Sequence, residues 1–579
     1  MVTGRRVVDH IVGYLAANGI SHIFGVDGAN IEDLYDAAFF REDITAILAK
    51  HEFSAATMAD GYSRGGAGIG VVAATSGGGC LNTVPGLGES LASRVPVLAL
   101  IGQAPTALDG HGAFQDTSGD NGALDAHALF SAVSVYCRRV MTPRDILTAL
   151  PEALAAARTG GPAVLLLPED IQQADLEPFG GCNGNGIVGT GGARQGDLRG
   201  LEQALRRIDG PITIIAGEQV ARDDARAELE RLRATLRARV ATVPDAKDVA
   251  GTPGLGSSSA LGVSGVMGHP GVPVAAAQSA MCLLVGTRMS VTARAGLDEA
   301  LRSVPVYSVG AEVPYPACTH VHSGDLRESL AQLALALSGP GRPTQVRVPD
   351  LVPRNELQPP IHSGPGIRYR DAMTVLDGAL PDGTDIVVDA GNIGASAIHY
   401  LPARRGGRFL VALGMGGMGY SFGAAIGMTF HRAATAAQQR TVVIAGDGSF
   451  FMHGMEIHTA MQYRLPITFV LFDNHAHAMC VTREQLFYQD RYSYNRFGPS
   501  RLGGGLATMF PGLLAADVDE IGELSDALAK ALTVDGPAVV SVECSADEIP
   551  PFAAFLTTKT LDNHSTAAEE NRSHVTARA

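Results

Sequence analysis

The stretch Thr441 to Asn474, TVVIAGDGSFFMHGMEIHTAMQYRLPITFVLFDN, narrows the fold more than any other part of the chain. Thr441 to Ala445 is a β-branched apolar run that ends in Gly446-Asp447-Gly448-Ser449. Met455, His458, Ala460 and Met461 follow at helical spacing, and a second apolar run, Ile467 to Phe472, closes on Asp473-Asn474. Strand, glycine turn, helix, strand is the unit from which parallel sheets are built. Such a unit puts Asp447 and Asn474 just past the carboxyl ends of their strands, where open α/β sheets bind ligands. If the two strands are neighbours, a carboxylate and an amide oxygen converge beside a helix start whose N–H groups can approach an anion closely. Two hard oxygens next to an anion-accepting helix terminus suit a magnesium ion carrying a diphosphate, because magnesium takes octahedral oxygen and few carboxylates. Alone, Gly-Asp-Gly would be only a turn; placement and spacing together favour the metal–diphosphate site.

The same alternation of apolar strands and helices recurs along the chain. Arg5 to Gly19 carries Val7, Val8, Ile11, Val12 and Leu15 on one helical face, and strands are expected at 20–26, 69–74, 96–101 and 163–167. A second series begins at Pro211 and includes 281–285 and 304–309. Two glycine- and proline-rich stretches separate these series. The expected organisation is therefore α/β, with three doubly wound parallel-sheet domains: 1–178, a linker at 179–197, 198–337, a linker at 338–366, 367–548, and a polar tail at 549–579. With 579 residues the chain has room for them. A net charge of −15 disfavours nucleic acid as a partner. The longest apolar run, 271–286, contains Gln278 and is too short to span a bilayer, so no membrane is expected. Seven scattered cysteines without a C-x-x-C pair fit a reducing, cytoplasmic setting.

The GDGS opening with Asn474 resembles the cofactor motif of thiamine-diphosphate enzymes, and the whole run to Asn474 is most similar to acetolactate synthases. Asp473 departs from the usual Asn-Asn ending, while Asn474 keeps the metal-ligand position. The resemblance implies a magnesium ion held by Asp447, Asn474 and the backbone oxygen of Ala476, with Gly448 and Ser449 at the diphosphate. Lys50-His51-Glu52 followed by small residues and MADGYSR is similar to the segment holding the family's activating glutamate. Without the resemblance, Glu52 would pass for a favourable charge at a helix start. Carried over, it bonds the cofactor's pyrimidine ring and drives the tautomer that takes the thiazolium proton, a general acid–base role.

Thr75-Ser76-Gly77-Gly78-Gly79-Cys80-Leu81-Asn82 resembles a family turn, with Gly78 in place of proline. Phe114-Gln115 is similar to the pair that borders the reacting carbon. Ala29 stands where acetolactate synthases have glycine and related decarboxylases have a serine or an acid, which favours carboligation over simple decarboxylation. In Leu413-Gly414-Met415-Gly416-Gly417-Met418-Gly419, Met418 corresponds to the residue that bends the cofactor into a V, and the Gly416 carbonyl to the acceptor of the pyrimidine amine. Asn392 matches the diphosphate-side turn. His477, Met479 and Arg483 fall in the substrate-facing segment, and Arg483 replaces a tryptophan in a chain that has none. A guanidinium there suits a carboxylate or phosphate on the acceptor; the alternative is a solvated helix residue.

The resemblance thus implies a 2-oxo acid donor such as pyruvate, a carbonyl acceptor, and a homodimer or homotetramer with the site between subunits. Gly265 to Gly271 and Leu284 to Arg288 resemble flavin-holding segments, which adds FAD as a candidate cofactor, although Met289-Ser290 replaces the usual acidic pair. Two other readings stay open. One is a non-oxidative 2-oxo acid decarboxylase. The other is a nicotinamide-dependent oxidoreductase, because Gly414, Gly416 and Gly419 satisfy G-x-G-x-x-G; the acid expected about twenty residues later is absent.

Overall fold

In a computed structural model, residues 5–176, 196–250, 260–338, 354–435, 439–491 and 493–556 are described. Most of the first expected linker, half of the second and the tail from 557 lie outside them. Three six-stranded sheets form, every pairing within them parallel, with helices on their faces. The chain is α/β with three doubly wound sheets, and their central strands are buried on both sides, as continuous apolar runs such as VLALIGQ at Val97–Gln103 require. An antiparallel pair, Arg5–Arg6 with Asp175–Leu176, ties the two ends of the first unit together.

Numbered in chain order within each sheet, the first and third sheets share the order 2-1-3-4-6-5, whereas the middle one runs 3-2-1-4-5-6. The middle order is the one associated with dinucleotide-binding folds. In the third sheet the strands Thr441–Gly446 and Ile467–Asp473 are direct neighbours in register, Thr441 against Ile467 through Gly446 against Phe472.

The first and third units meet through the helices that follow their second strands, Glu52–Tyr62 and Tyr420–Thr435. Small residues let these backbones touch. A Cβ at Gly61 would lie 2.1 Å from the Ala424 carbonyl oxygen, and one at Gly427 only 1.8 Å from that of Met58. Buried charge fixes the same junction: Arg64 pairs with Asp60 at 2.7 Å, and Tyr420 donates to Asp60 at 2.5 Å. Arg408 ties in the middle unit, donating to the Arg64 carbonyl (2.6 Å), Asp248 (2.6 Å) and Glu218 (3.0 Å). Each charge is paired, as burial demands. Among the described residues no helix is long and apolar enough to cross a membrane.

Candidate active site

Strand Thr441–Gly446 runs directly into helix Asp447–His453, so Asp447 opens the helix at the carboxyl edge of the sheet. Its neighbour strand ends at Asp473, with Asn474 next. The adjacency that the spacing anticipated therefore brings Asp447 and Asn474 together. Both are buried, and Asp447 Oδ1 and Asn474 Oδ1 have no hydrogen-bond partner. The other Asp447 oxygen accepts the Ala476 N–H at 3.0 Å, while the Asn474 amide donates to the Tyr369 hydroxyl at 3.3 Å. Buried polar atoms are seldom left unpaired, so these two bare oxygens at adjacent strand tips are the ones that could hold a cation.

Asp473 joins this group. Ligand atoms of Asp447, Asp473 and His475 all lie within 4.8 Å of one another. Burial, then the neighbouring Asp473, push the Asp447 carboxyl up to about 7; a hard divalent cation would relieve both causes. His475 sits between Asp473 (3.0 Å) and Glu543 (3.1 Å). His477 has a buried Nδ1 without a partner. A Cβ at Gly448 would lie 2.6 Å from that Nδ1 and 3.2 Å from the Met418 methyl, so glycine is what leaves the helix start open between them. Ser449 turns its hydroxyl to Asp389 (2.6 Å), so its side chain is engaged within the protein. Asn392 begins helix Asn392–Tyr400, its amide donating to Thr482 (3.1 Å) and its oxygen without a partner.

Glu52 begins helix Glu52–Tyr62 in the first unit. Its Oε2 accepts the side-chain amide of Asn82 at 2.9 Å, and a Cβ at Gly79 would lie 3.2 Å from its Oε1. Gln115 is held by the Thr75 hydroxyl at 3.3 Å, and a Cβ at Gly77 would lie 2.8 Å from its Cβ. The turn 75–82 thus gathers Glu52 and Gln115, an arrangement in which Asn82 is the residue that spacing alone did not single out. Ala29 lies exposed in the turn beyond strand His22–Val26. Phe114 is 78% exposed, and Leu81, Met415, Phe451 and Met452 are exposed apolar residues of the same two regions. The hydrogen bonds of Glu52 stay within the first unit and those of Asp447 within the third.

Met479 packs against the cluster of Leu486, Ile549 and Phe555. Arg483, on helix Ala478–Tyr488, is exposed, and no hydrogen bond or ion pair reaches it from the described residues.

Two expectations fare worse. The glycine motif 414–419 follows Phe409–Val411, an edge strand of a sheet with order 2-1-3-4-6-5. Three of its amides are already taken: Gly414 and Met415 donate to Glu89 (3.2 and 2.6 Å) and Gly419 to Asp389 (2.9 Å). A dinucleotide fingerprint needs free amides after the sheet's first strand, so the nicotinamide reading is corrected. The flavin-like segments draw no support for that group: a Cβ at Gly265 would lie 1.9 Å from the Thr292 carbonyl, His269 stacks on His399 at 4.6 Å, and Arg288 lies over Tyr315 at 4.7 Å.

Comparison with known proteins bears on the cofactor class. Residues 5–124 match a family model described as the N-terminal TPP-binding domain of thiamine pyrophosphate enzymes, and residues 389–542 match the corresponding C-terminal TPP-binding domain. The acetolactate synthase isozyme 2 large subunit of Escherichia coli K12 is 28% identical over 553 residues, covering 93% of this chain and 95% of that one. An acetolactate synthase of Arthrospira platensis is 28% identical over 569 residues, covering 93% and 94%. In fold, the chain is similar to a solved Mycobacterium smegmatis chain described as a thiamin diphosphate-dependent enzyme, with a TM-score of 0.77 at 21% identity, covering 94% of this chain and 100% of that one.

Proposed function

We propose that this chain, which belongs to the thiamine pyrophosphate enzymes of the acetolactate synthase-like kind, decarboxylates pyruvate or a related 2-oxo acid and transfers the acyl unit to a carbonyl acceptor. One observation carries the reading: Asp447 Oδ1 and Asn474 Oδ1 stand buried and partnerless at neighbouring strand tips, beside a helix start opened by Gly448. Asp447, Asn474 and the backbone oxygen of Ala476 would hold Mg²⁺. Main-chain N–H groups of Gly448 and Ser449, with Asn392, would receive the diphosphate. When bound, thiamine diphosphate supplies a thiazolium carbon whose conjugate base is nucleophilic, and an electron sink for decarboxylation.

The chain's own residues do the rest. Glu52 holds and moves a proton at the pyrimidine ring, with Asn82 fixing the orientation of its carboxyl. Met418 and the Gly416 carbonyl would hold the group at its pyrimidine end. Phe114 and Gln115 would line the substrate side, and Ala29 would leave room for a second substrate while offering no proton. His477 is the free imidazole for a proton on the substrate side. Arg483 takes the acceptor's carboxylate or phosphate.

Glu52 and Asp447 serve one cofactor from two different subunits, which makes the working unit at least a homodimer. The exposed apolar side chains Leu81, Phe114, Met415, Phe451 and Met452 support this, because a solvated enzyme rarely leaves so many beside its site. The direct test is to supply Mg²⁺, thiamine diphosphate and pyruvate with a panel of carbonyl acceptors, following carbon dioxide and carbon–carbon bonded products. An acceptor-dependent product is expected. Free aldehyde with every acceptor would replace carboligation by simple decarboxylation, and no response to thiamine diphosphate would end the reading.

A further inference from the structure

The shared strand order of the first and third sheets has a counterpart at their junction. In each unit the chain leaves the second strand, makes a turn and enters the helix that packs on its opposite number. In each unit a buried glutamate, carried by the helical segment after the third strand, crosses to the other unit's turn. Glu456, 1% exposed, accepts the N–H groups of Lys50 (2.8 Å) and His51 (3.2 Å) on Oε1, and the Thr459 hydroxyl (2.7 Å) on Oε2. Glu89, 3% exposed, accepts those of Gly414 (3.2 Å, Oε1) and Met415 (2.6 Å, Oε2), with the Ser93 hydroxyl at 2.6 Å.

The targets are not arbitrary. Lys50 and His51 immediately precede Glu52; Gly414 and Met415 open the turn that carries Gly416 and Met418. Charge-assisted bonds to two consecutive amides fix both the place and the direction of a backbone segment. We propose that Glu456 and Glu89 are a reciprocal pair of positioning residues, Glu456 fixing where Glu52 enters its helix and Glu89 fixing the turn that bends the cofactor. This rests on the thiamine-diphosphate reading above. Neither glutamate touches the cofactor in it; each acts on a residue that does.

The two positions call for different replacements. Glu456 uses one oxygen for both amides, so glutamine can keep them and turn its NH₂ to Thr459; alanine cannot. Glu89 spreads two amides over two oxygens, so glutamine must set its NH₂ against an N–H. The readout is exchange of the thiazolium C2 proton of bound thiamine diphosphate, measured by NMR after acid quench at saturating Mg²⁺ and cofactor, alongside thermal stability and cofactor affinity. E456A and E89Q are expected to slow exchange on the order of 10–100-fold, the scale of a small misplacement of a reacting group. Cofactor affinity should hold, and E456Q should exchange close to the parent. Exchange in folded, cofactor-loaded E456A or E89Q within about twofold of the parent overturns the positioning role, as does E456Q falling as far as E456A. If E456A or E89Q does not fold, E456D or E89D is read on the same scale, since the shorter side chain cannot reach both amides. Should the parent itself fail to accelerate exchange, the thiamine-diphosphate reading falls instead.

Discussion

Asn82 donates its side-chain amide to Glu52 at 2.9 Å, from the second turn of helix Gly78–Ala92 whose far end carries Glu89. The carboxyl is thereby anchored on one oxygen while the other lies beside Gly79, which offers no side chain to cover it.

Replacing Glu52 by glutamine should leave cofactor affinity intact and lower turnover by roughly 10²–10⁴, the range of a lost general acid–base group. Asn82→Ala should lower kcat by about tenfold, since a bond to a charged group is worth about 1.5–3 kcal/mol. Steady-state kinetics beside calorimetric cofactor titration separate the two effects, and full activity in Glu52→Gln would remove that residue from the mechanism.

Asp447→Ala and Asn474→Ala should abolish the thermal stabilisation that Mg²⁺ and thiamine diphosphate together give the parent. A ligand at about 100 times its Kd adds about 2.7 kcal/mol, so differential scanning fluorimetry will resolve the loss. A retained upshift in Asp447→Ala would place the cation elsewhere.

Arg483→Ala should raise KM for an anionic acceptor by about tenfold or more while leaving KM for the 2-oxo acid donor nearly unchanged. Equal shifts for both substrates, or none, would return Arg483 to the solvated helix surface.

Three buried histidines should lose their contribution to the fold in mild acid. Burial holds His22, His399 and His453 down to about 4, with further lowering from His431 at His22, from Lys247 and Arg354 at His399, and from His51 at His453. The unfolded chain binds those protons below about 6.5, whereas the folded chain does not until about 4. Their contribution is thus complete above about 6.5 and is lost as pH falls toward 4. The urea midpoint of the parent should fall further between pH 7.5, 5.5 and 4.5 than that of His22→Gln, whose side chain does not titrate and which leaves the raised carboxyls such as Asp447 in common; equal slopes would contradict the burial of the His22 ring.

Gly427→Ala should destabilise by about 1–3 kcal/mol, because the added methyl meets the Met58 carbonyl rather than a side chain that could turn away. The loss should also cost activity, since the two helices it separates position Glu52 and the glycine turn.

The strands that sequence reading found are the doubly buried ones. Expected at 281–285 and 441–445, they are observed at Met281–Val285 and Thr441–Gly446. Among those it did not name, Thr45–Leu48, Tyr136–Arg139 and Leu514–Val518 are edge strands with one face partly wet, where Tyr136-Cys137-Arg138-Arg139 shows no apolar run to read, while Asp385–Val388 and Ala538–Glu543 are buried inner strands whose short apolar runs were passed over. Asp447 and Asn474 were legible because their spacing is local to one βαβ unit. Glu89 and Glu456 were not, since their partners lie 325 and 406 positions away and each would pass alone for an ordinary helix residue. Asp473 escaped because a motif position was judged by its usual asparagine, not by what a second buried acid does to Asp447.

The matching strand orders of the outer sheets reach beyond a likeness of folds. A single chain already contains an approximate two-fold contact, each half offering the other one helix face and one carboxylate. In the proposed dimer, what a second subunit presents is a surface of the type the first has already paired with internally. Assembly of that kind would repeat an internal relationship, and a change that loosens the pairing inside one polypeptide would weaken the grip between polypeptides as well.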